Sequence, residues 1–435
     1  MKVRRLGLVW ITAVILLVAA PLRAQEIVGK WQGTLSTERK LRVVLEIEKG
    51  NGGSLQGRGY SIDQSPTPVP VTTLSLIGST LKFTIDGFHA SYEGTLSPDG
   101  KTIAGNFTQE KTSPLTFERA TPETAWKIDP SPHKAQFIPV EKDVKLEVLD
   151  WGGTGRPLVL LTGLGNDAHV FDQFALKLTS QYHVYGITRR GFGVSSAPSP
   201  ETASYTADRL GEDVLAVIEA LHLERPIVAG HSVAGEELSY IGSCHPEKVA
   251  GLIYLDAGYP YALYDQVNGS LLTDSKELQK QLGQLLPDKM PDDQKKFLED
   301  LHSSLERVEK EVAQKQEDMK DVPPPPPMSA AAKAQIPKAA PAIIGGTERF
   351  TTISAPALVI FADPHDPGGM MKDNPKARAA FIAANNRDTE RQAVAFERQV
   401  PSAHVVRIPN ANHYIFRSNE ADVLREMNAF IATLP

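Results

Sequence analysis

Between about residue 26 and residue 120, apolar and polar positions alternate with a period of two. Leu41-Arg-Val-Val-Leu-Glu-Ile47 runs into Gly50-Asn-Gly-Gly53, Val71–Ile77 and Leu81–Ile85 are spaced as a hairpin, and Ala90–Leu96 and Thr102–Phe107 flank Pro98-Asp-Gly100. Strict alternation sends successive side chains to opposite faces of a strand, and Gly-rich or Pro-Asp-Gly breaks turn the chain back on itself. The pattern predicts about seven or eight short strands over 25–120, forming a small antiparallel barrel or sandwich.

A Pro-containing linker over 121–134 separates this region from a different texture. Leu158-Val-Leu-Leu161, Val184-Tyr-Gly-Ile187, Pro226-Ile-Val-Ala229, Gly251-Leu-Ile-Tyr-Leu255 and Ala357-Leu-Val-Ile-Phe361 are unbroken apolar runs, and helical patterns lie between them. Such runs read as strands covered on both faces, which predicts an α/β unit with a mostly parallel sheet over 135–260 and 351–435. The intervening 261–350 reads as a helical cap insertion. Within it, Leu301, Leu305, Val308 and Val312 recur at helical spacing in a charged segment, and Pro323–Pro327 follows as a stiff tether.

The first residues carry a different signal. Lys2, Arg4 and Arg5 precede an apolar run from Leu6 to Ala20, followed by Pro21 and the small residue Ala24. This describes a secretory signal peptide over 1–24, cleaved after Ala24, with an uncleaved anchor as the alternative. The expected destination is periplasmic or extracellular, with no membrane span after cleavage.

Composition narrows the functional classes. A net charge of -6 gives no basic footprint, so nucleic acid is not an expected partner. Cys244 is the single cysteine, and the 11 histidines include no His-Glu-x-x-His arrangement. With no Cys-x-x-Cys pair either, neither a metal nor a cofactor is expected. Cys244 itself reads as an inert thiol.

The strand Pro226–Ala229 runs straight into Gly230-His-Ser-Val-Ala-Gly235, with a helical pattern beyond. A serine on a sharp strand-to-helix turn needs small neighbours on both sides, here Gly230 and Ala234, because the backbone there is crowded. A serine nucleophile also needs a base and a carboxylate to orient that base. Downstream, the strand ending at Phe361 opens into Ala362-Asp-Pro-His-Asp-Pro367, and Val405–Ile408 ends in Pro409-Asn-Ala-Asn-His413. His413 is the candidate base. The acid is Asp366, with Asp363 in the same loop and Asp256, just past the Gly251–Leu255 strand, as alternatives.

Over about residues 135 to 435 these motifs resemble the α/β-hydrolase superfamily, in particular its esterase-like members with a helical cap. The resemblance rests on Gly230–Gly235, Phe361–Asp366, Pro409–His413 and Arg189-Arg-Gly-Phe-Gly-Val-Ser195, in that family's chain order of nucleophile, acid and histidine. It implies a triad of Ser232, Asp366 and His413, with Asp256 at the position some members use for the acid. It also implies an oxyanion hole from the backbone N–H groups of Val233 and Leu164, the latter in Thr162-Gly-Leu-Gly165, where most relatives have histidine in place of Thr162. Relatives with epoxide hydrolase or haloalkane dehalogenase chemistry use aspartate where this chain has Ser232. The N-terminal region is similar to small β-rich domains that precede hydrolases in some exported bacterial proteins, where it could serve as a spacer or contact a surface or polymer.

The expected function is therefore hydrolysis of an ester-type bond (carboxylic ester, thioester or lactone) in a small-molecule acyl substrate. An aminopeptidase-like amide hydrolase on the same triad is the alternative. Two readings come from other classes. Gly163-Leu-Gly-Asn-Asp-Ala168 also fits a dinucleotide fingerprint, with Arg189 and Arg190 placed to grip the 2′-phosphate of NADP in a reductase. The fold could also be kept for binding alone. Glu236 and Glu237 open the helix after Ser232, where carboxylates complement the helix dipole, and are given no catalytic role. His231 and His365 are expected to pack around the site.

Overall fold

The computed structural model describes residues 27–36, 40–63, 65–109, 111–286, 289–324, 327, 333 and 336–435. The signal segment 1–24 and part of the run Pro323–Pro327 lie outside the described residues. Among the described residues no helix is long and apolar enough to cross a membrane. The chain forms two compact units that part between Pro130 and Ser131.

The first unit holds strands β1 (Gly29–Ser36), β2 (Lys40–Lys49), β3 (Leu55–Ser61), β4 (Ser65–Pro70), β5 (Thr73–Ile77), β6 (Thr80–Ile85), β7 (Ala90–Leu96), β8 (Thr102–Thr108) and β9 (Thr112–Arg119). They make one nine-stranded sheet in the order β4-β3-β2-β1-β9-β8-β7-β6-β5, every ladder antiparallel. Since β4 and β5 are its two edges, the sheet is a curled half-barrel. β7 alternates buried and exposed along its whole length. Its inward residues join Trp31, Leu45, Ile47, Leu81, Phe83, Ile103 and Phe117 in one core. Tyr92, buried among them, donates its hydroxyl to the carbonyls of Ile103 and Leu115 at 3.0 and 3.1 Å, so the aromatic ring is inserted without an unpaired polar tip.

The second unit is built on strands β10 (Lys134–Glu141), β11 (Val144–Gly152), β12 (Pro157–Leu161), β13 (His183–Ile187), β14 (Ile227–His231), β15 (Gly251–Leu255), β16 (Ala357–Ala362) and β17 (Ala403–Ile408). Their order is β10-β11-β13-β12-β14-β15-β16-β17. β10 and β11 form an antiparallel edge, β11 pairs antiparallel with β13, and every later ladder is parallel. The unbroken apolar runs are explained by two separate cores. Val159, Leu161, Leu252 and Tyr254 enter one; Leu158, Leu160, Ile253 and Leu255 enter the other, on the opposite face. A strand sandwiched in this way has no polar side, so its sequence does not alternate. Strand order reverses at β12, which has β13 on one side and β14 on the other. Ligands of open α/β sheets bind beyond the carboxyl ends of strands at such a switch point.

Helices α1 (Asp172–Leu178), α2 (Ala207–Ala220) and α3 (Gly235–Cys244) belong to the crossovers of the first half. Among the described residues three more lie between β15 and β16: α4 (Leu271–Gly283), α5 (Gln294–Met319) and α6 (Ala339–Gly346). In α5 the buried residues are Phe297, Leu301, Ser304 and Asp318, whereas Leu305 is 44% and Val312 38% exposed. The stripe expected from Leu301, Leu305, Val308 and Val312 is therefore rotated. Asp318 is held inward by Arg387 of α7 (Pro375–Gln399), and a polar pairing of this kind is invisible to a hydrophobic pattern.

Candidate active site

The site starts from the end of β14. Ser232 is held at φ 54°, in the left-handed region that a non-glycine residue adopts at a cost of about 1–3 kcal/mol. The turn is tight enough that a Cβ on Gly230 would come within 2.9 Å of the Ala234 Cβ and 3.1 Å of Leu238. Small residues at 230 and 234 are thus a packing requirement, and Ala234 meets it. On Gly235, a Cβ would reach 2.1 Å from the Ala257 carbonyl oxygen, so α3 starts in contact with the chain leaving β15.

His413, in the loop after β17, places its Nε2 2.9 Å from Ser232 Oγ. Its Nδ1 is 2.7 Å from Asp256 Oδ2. The structure therefore joins Ser232, His413 and Asp256 in one hydrogen-bonded chain. This corrects the assignment of Asp366. The Asp366 side chain is exposed and accepts from the Gly368 N–H at 2.9 Å, capping its own turn. The backbone of its loop does meet the histidine loop, through Asp366 N–H to the Ala411 carbonyl at 2.8 Å. Asp363 is half-buried beside Glu390, and burial together with that like charge raises its pKa. Asp256 wins on position. β15 is the parallel neighbour of β14, so the residue past its end stands beside Ser232, and φ 46° turns it toward the imidazole.

Asp256 is fully buried while His413 is 40% exposed, so the imidazole faces solvent and the carboxylate does not. A buried carboxylate needs its lone pairs occupied. Besides His413, Asp256 Oδ1 accepts from the Tyr259 hydroxyl at 2.9 Å and from the Ala362 N–H at 3.0 Å. Tyr259 was not foreseen, although its place three residues past a strand-end aspartate is a readable signal. Tyr261, two residues on, buries its hydroxyl beside Ser232, and burial raises its phenol pKa far above the ordinary value. That hydroxyl has no hydrogen-bond partner among the described residues.

The loop after β12 lies against the serine. A Cβ on Gly163 would stand 2.7 Å from His231 Nδ1 and 3.1 Å from Ser232 Cβ. Leu164 follows immediately. Val233 is the second residue of the 3-10 turn Ser232–Ala234, where a backbone N–H has no acceptor inside the turn. Arg189 supports this loop from behind. It donates from Nη2 to the Thr162 carbonyl at 2.7 Å and from Nε to Glu237 Oε1 at 2.5 Å, with both side chains buried. Arg190 is bound by Asp213 at 2.6 Å and by Glu141 at 2.9 Å. Both arginines are therefore occupied by carboxylates of their own chain. This removes the phosphate grip that the NADP reading required.

Glu236, next to Glu237, accepts from Thr347 Oγ1 at 2.5 Å, and burial pushes its pKa up to about 8. It is thus a neutral carboxylic acid near neutral pH, fixed between α3 and the segment after α6. His231 pairs its Nε2 with the His413 carbonyl at 2.7 Å, and burial lowers its pKa to about 3, so it is a neutral strut tying the elbow to the histidine loop. His365 is also shifted downward by burial. From the insertion between β15 and β16, Ala339 and Ile343 of α6 pack with Phe192, Tyr205, Leu210 and Val233, and Leu164 lies against the same cluster. Both candidate oxyanion residues therefore border an apolar wall supplied by the insertion.

A family model for the alpha/beta hydrolase fold matches residues 156–419. A fluoroacetate dehalogenase from Burkholderia sp is 30% identical over 119 residues, 27% of this chain and 39% of that protein. A non-heme chloroperoxidase from Streptomyces lividans is 33% identical over 122 residues, 27% of this chain and 43% of that protein. The matched segments thus span well under two thirds of these curated relatives. Among solved structures, an esterase from Rhodococcus sp. ECU1013 is 17% identical with a TM-score of 0.42, covering 70% of this chain and 100% of that one.

Proposed function

Because the chain belongs to the alpha/beta hydrolase fold family, we propose that it is a serine hydrolase, exported from the cell, that cleaves an ester-type bond of an apolar acyl substrate through an acyl-enzyme on Ser232. The observation that carries the reading is the unbroken relay from Ser232 Oγ to His413 Nε2 at 2.9 Å and from His413 Nδ1 to Asp256 at 2.7 Å.

In the proposed reaction Ser232 Oγ attacks the acyl carbonyl carbon and its proton passes to His413 Nε2. Asp256 holds Nδ1–H and so keeps the Nε2 lone pair aimed at the serine. The negative charge on the former carbonyl oxygen is met by the N–H groups of Leu164 and Val233. Collapse breaks the carbon–oxygen bond to the leaving alcohol, which takes the proton from His413. A water, deprotonated by His413 Nε2, then attacks the acyl-enzyme. The second tetrahedral adduct expels Ser232, which is reprotonated by His413, and releases the carboxylic acid. The cluster of Phe192, Ile343 and Val233 beside the oxyanion loop supports an apolar acyl group. A serine hydroxyl at the elbow, hydrogen-bonded to His413, supports attack on a carbonyl carbon and hence acyl transfer.

A fluorophosphonate probe followed by peptide mapping tests this reading. The expected result is labelling at Ser232, lost in Ser232→Ala, together with turnover of p-nitrophenyl esters. An active-site probe that labels nothing while the protein stays folded would overturn it. For export, intact-mass measurement of the secreted protein should find residues 1–24 absent.

A further inference from the structure

The segment that follows the oxyanion loop carries a second cluster of chemistry-bearing side chains, in a short turn (Ala168–Phe171) and the first residue of α1. His169 Nδ1 is 3.2 Å from Asp172 Oδ2, and His133 Nδ1 is 3.4 Å from Asp172 Oδ1. The two imidazole centroids are 5.0 Å apart. All three side chains are largely shielded, with exposures of 5%, 10% and 18% for His133, His169 and Asp172. We propose that His133, His169 and Asp172 form a binding site for a divalent transition-metal ion of the zinc class, separate from the triad.

Geometry is the first argument. Ligands bonded tetrahedrally at about 2.0–2.1 Å stand about 3.3 Å from one another. His169 Nδ1 has that spacing from Asp172 Oδ2, and His133 Nδ1 has it from the other carboxylate oxygen, Oδ1, so the two imidazoles face the two oxygens of one carboxylate. The donor atoms of the three residues all lie within 4.8 Å of one another. Two imidazoles and one carboxylate are the donor set that borderline ions such as Zn²⁺ prefer over hard ions such as Ca²⁺ or Mg²⁺.

The surroundings are the second argument. A metal-binding histidine usually presents its other ring nitrogen to a carboxylate that fixes the tautomer. His169 Nε2 faces Glu147 Oε1 at 3.8 Å, and Glu147 is itself held by Thr188 Oγ1 at 2.7 Å. Asp172 accepts at Oδ1 from Trp151 Nε1 at 3.1 Å, so its carboxylate is pinned as well. Two carboxylates against one imidazole-rich wall also leave a charge that a dication neutralises. The rival occupant is a proton. In the metal-free chain, Asp172 and Glu147 outweigh burial and raise the His169 pKa to about 10. The sequence holds no motif for this site, because His133 precedes β10 while His169 and Asp172 come from the turn after β12 and the start of α1.

A bound ion would brace the turn that supports the oxyanion loop. Asn166 contacts Tyr414 at 3.3 Å and the Val170 carbonyl accepts from Arg417 at 2.8 Å, so this turn is tied to the His413 loop. The ion is thus assigned a structural role.

The test uses the full chain, dialysed against EDTA and titrated with Co²⁺ and then Zn²⁺. One equivalent of Co²⁺ is expected to bind with a Kd of about micromolar or tighter. It should give the intense visible absorption of a tetrahedral site, be displaced by Zn²⁺, and raise Tm by mass action. His133→Gln and Asp172→Asn should each weaken uptake by at least about tenfold, and Glu147→Gln by about 10- to 100-fold. Circular dichroism of each variant checks folding independently of activity. No stoichiometric uptake by the folded wild type would overturn the proposal, as would uptake that none of the three substitutions changes. Either failure leaves the triad untouched.

Discussion

The sharpest consequence of the geometry concerns which aspartate serves His413. In Asp256→Asn, the amide oxygen is expected to keep the two donors now on Oδ1, Tyr259 O–H and Ala362 N–H. The NH2 group then faces His413 Nδ1 across the present 2.7 Å contact. Two donors cannot share that contact, so the imidazole must carry its proton on Nε2, where it can no longer take one from Ser232. An acid-to-amide change of this kind in a serine triad lowers kcat by about 10⁴, equivalent to about 5.5 kcal/mol of transition-state stabilisation. Asp366→Asn alters only an exposed cap on Gly368 and should change kcat/KM less than about threefold, in line with surface substitutions worth about 0.5 kcal/mol or less. The assay is p-nitrophenyl ester hydrolysis by both variants beside the wild type, with Tm recorded to exclude unfolding. A folded Asp256→Asn enzyme retaining a tenth of the activity, alongside an Asp366→Asn enzyme that has lost most of it, would refute the assignment.

Other outcomes follow from the same site. Ser232→Ala or His413→Ala should each lower kcat by about 10⁶, as expected when residues act as a unit, measured on the same ester. Gly163→Ala would place a methyl 2.7 Å from His231 Nδ1; displacing the Leu164 N–H should cost about 10²–10³ in kcat, with KM nearly unchanged. His231 has its folded-state pKa lowered by burial from 6.5 to about 3, so the unfolded chain binds the extra proton. Its contribution to stability is complete above pH 6.5 and is lost as pH falls from there toward 3, at about 1.4 kcal/mol per pH unit. Urea titrations between pH 7 and 4 should show this slope in the wild type and a flatter one in His231→Gln; equal slopes would refute it.

Much was legible in the sequence because it is written in local patterns. Period-two alternation marked the hairpins of the first sheet, and unbroken apolar runs marked the strands of the second, since burial on one face or on two dictates composition directly. Ser232 was legible from steric need, small residues crowding a strained turn, and His413 from its place at the end of a strand pattern. Tertiary structure alone decided the acid. Asp256, Asp363 and Asp366 all leave ends of neighbouring strands and differ in where the side chain points. That direction depends on strand order, on the left-handed turn at Asp256, and on Tyr259 and Ala362 as donors. Of these only Tyr259, three residues past Asp256, stands where the sequence can point to it. The same holds for the buried pair Arg189–Glu237, for the buried Asp318 met by the partly exposed Arg387, and for the face α5 buries. A charge can be inside only if its partner is there to meet it, and partners distant along the chain become neighbours only on folding.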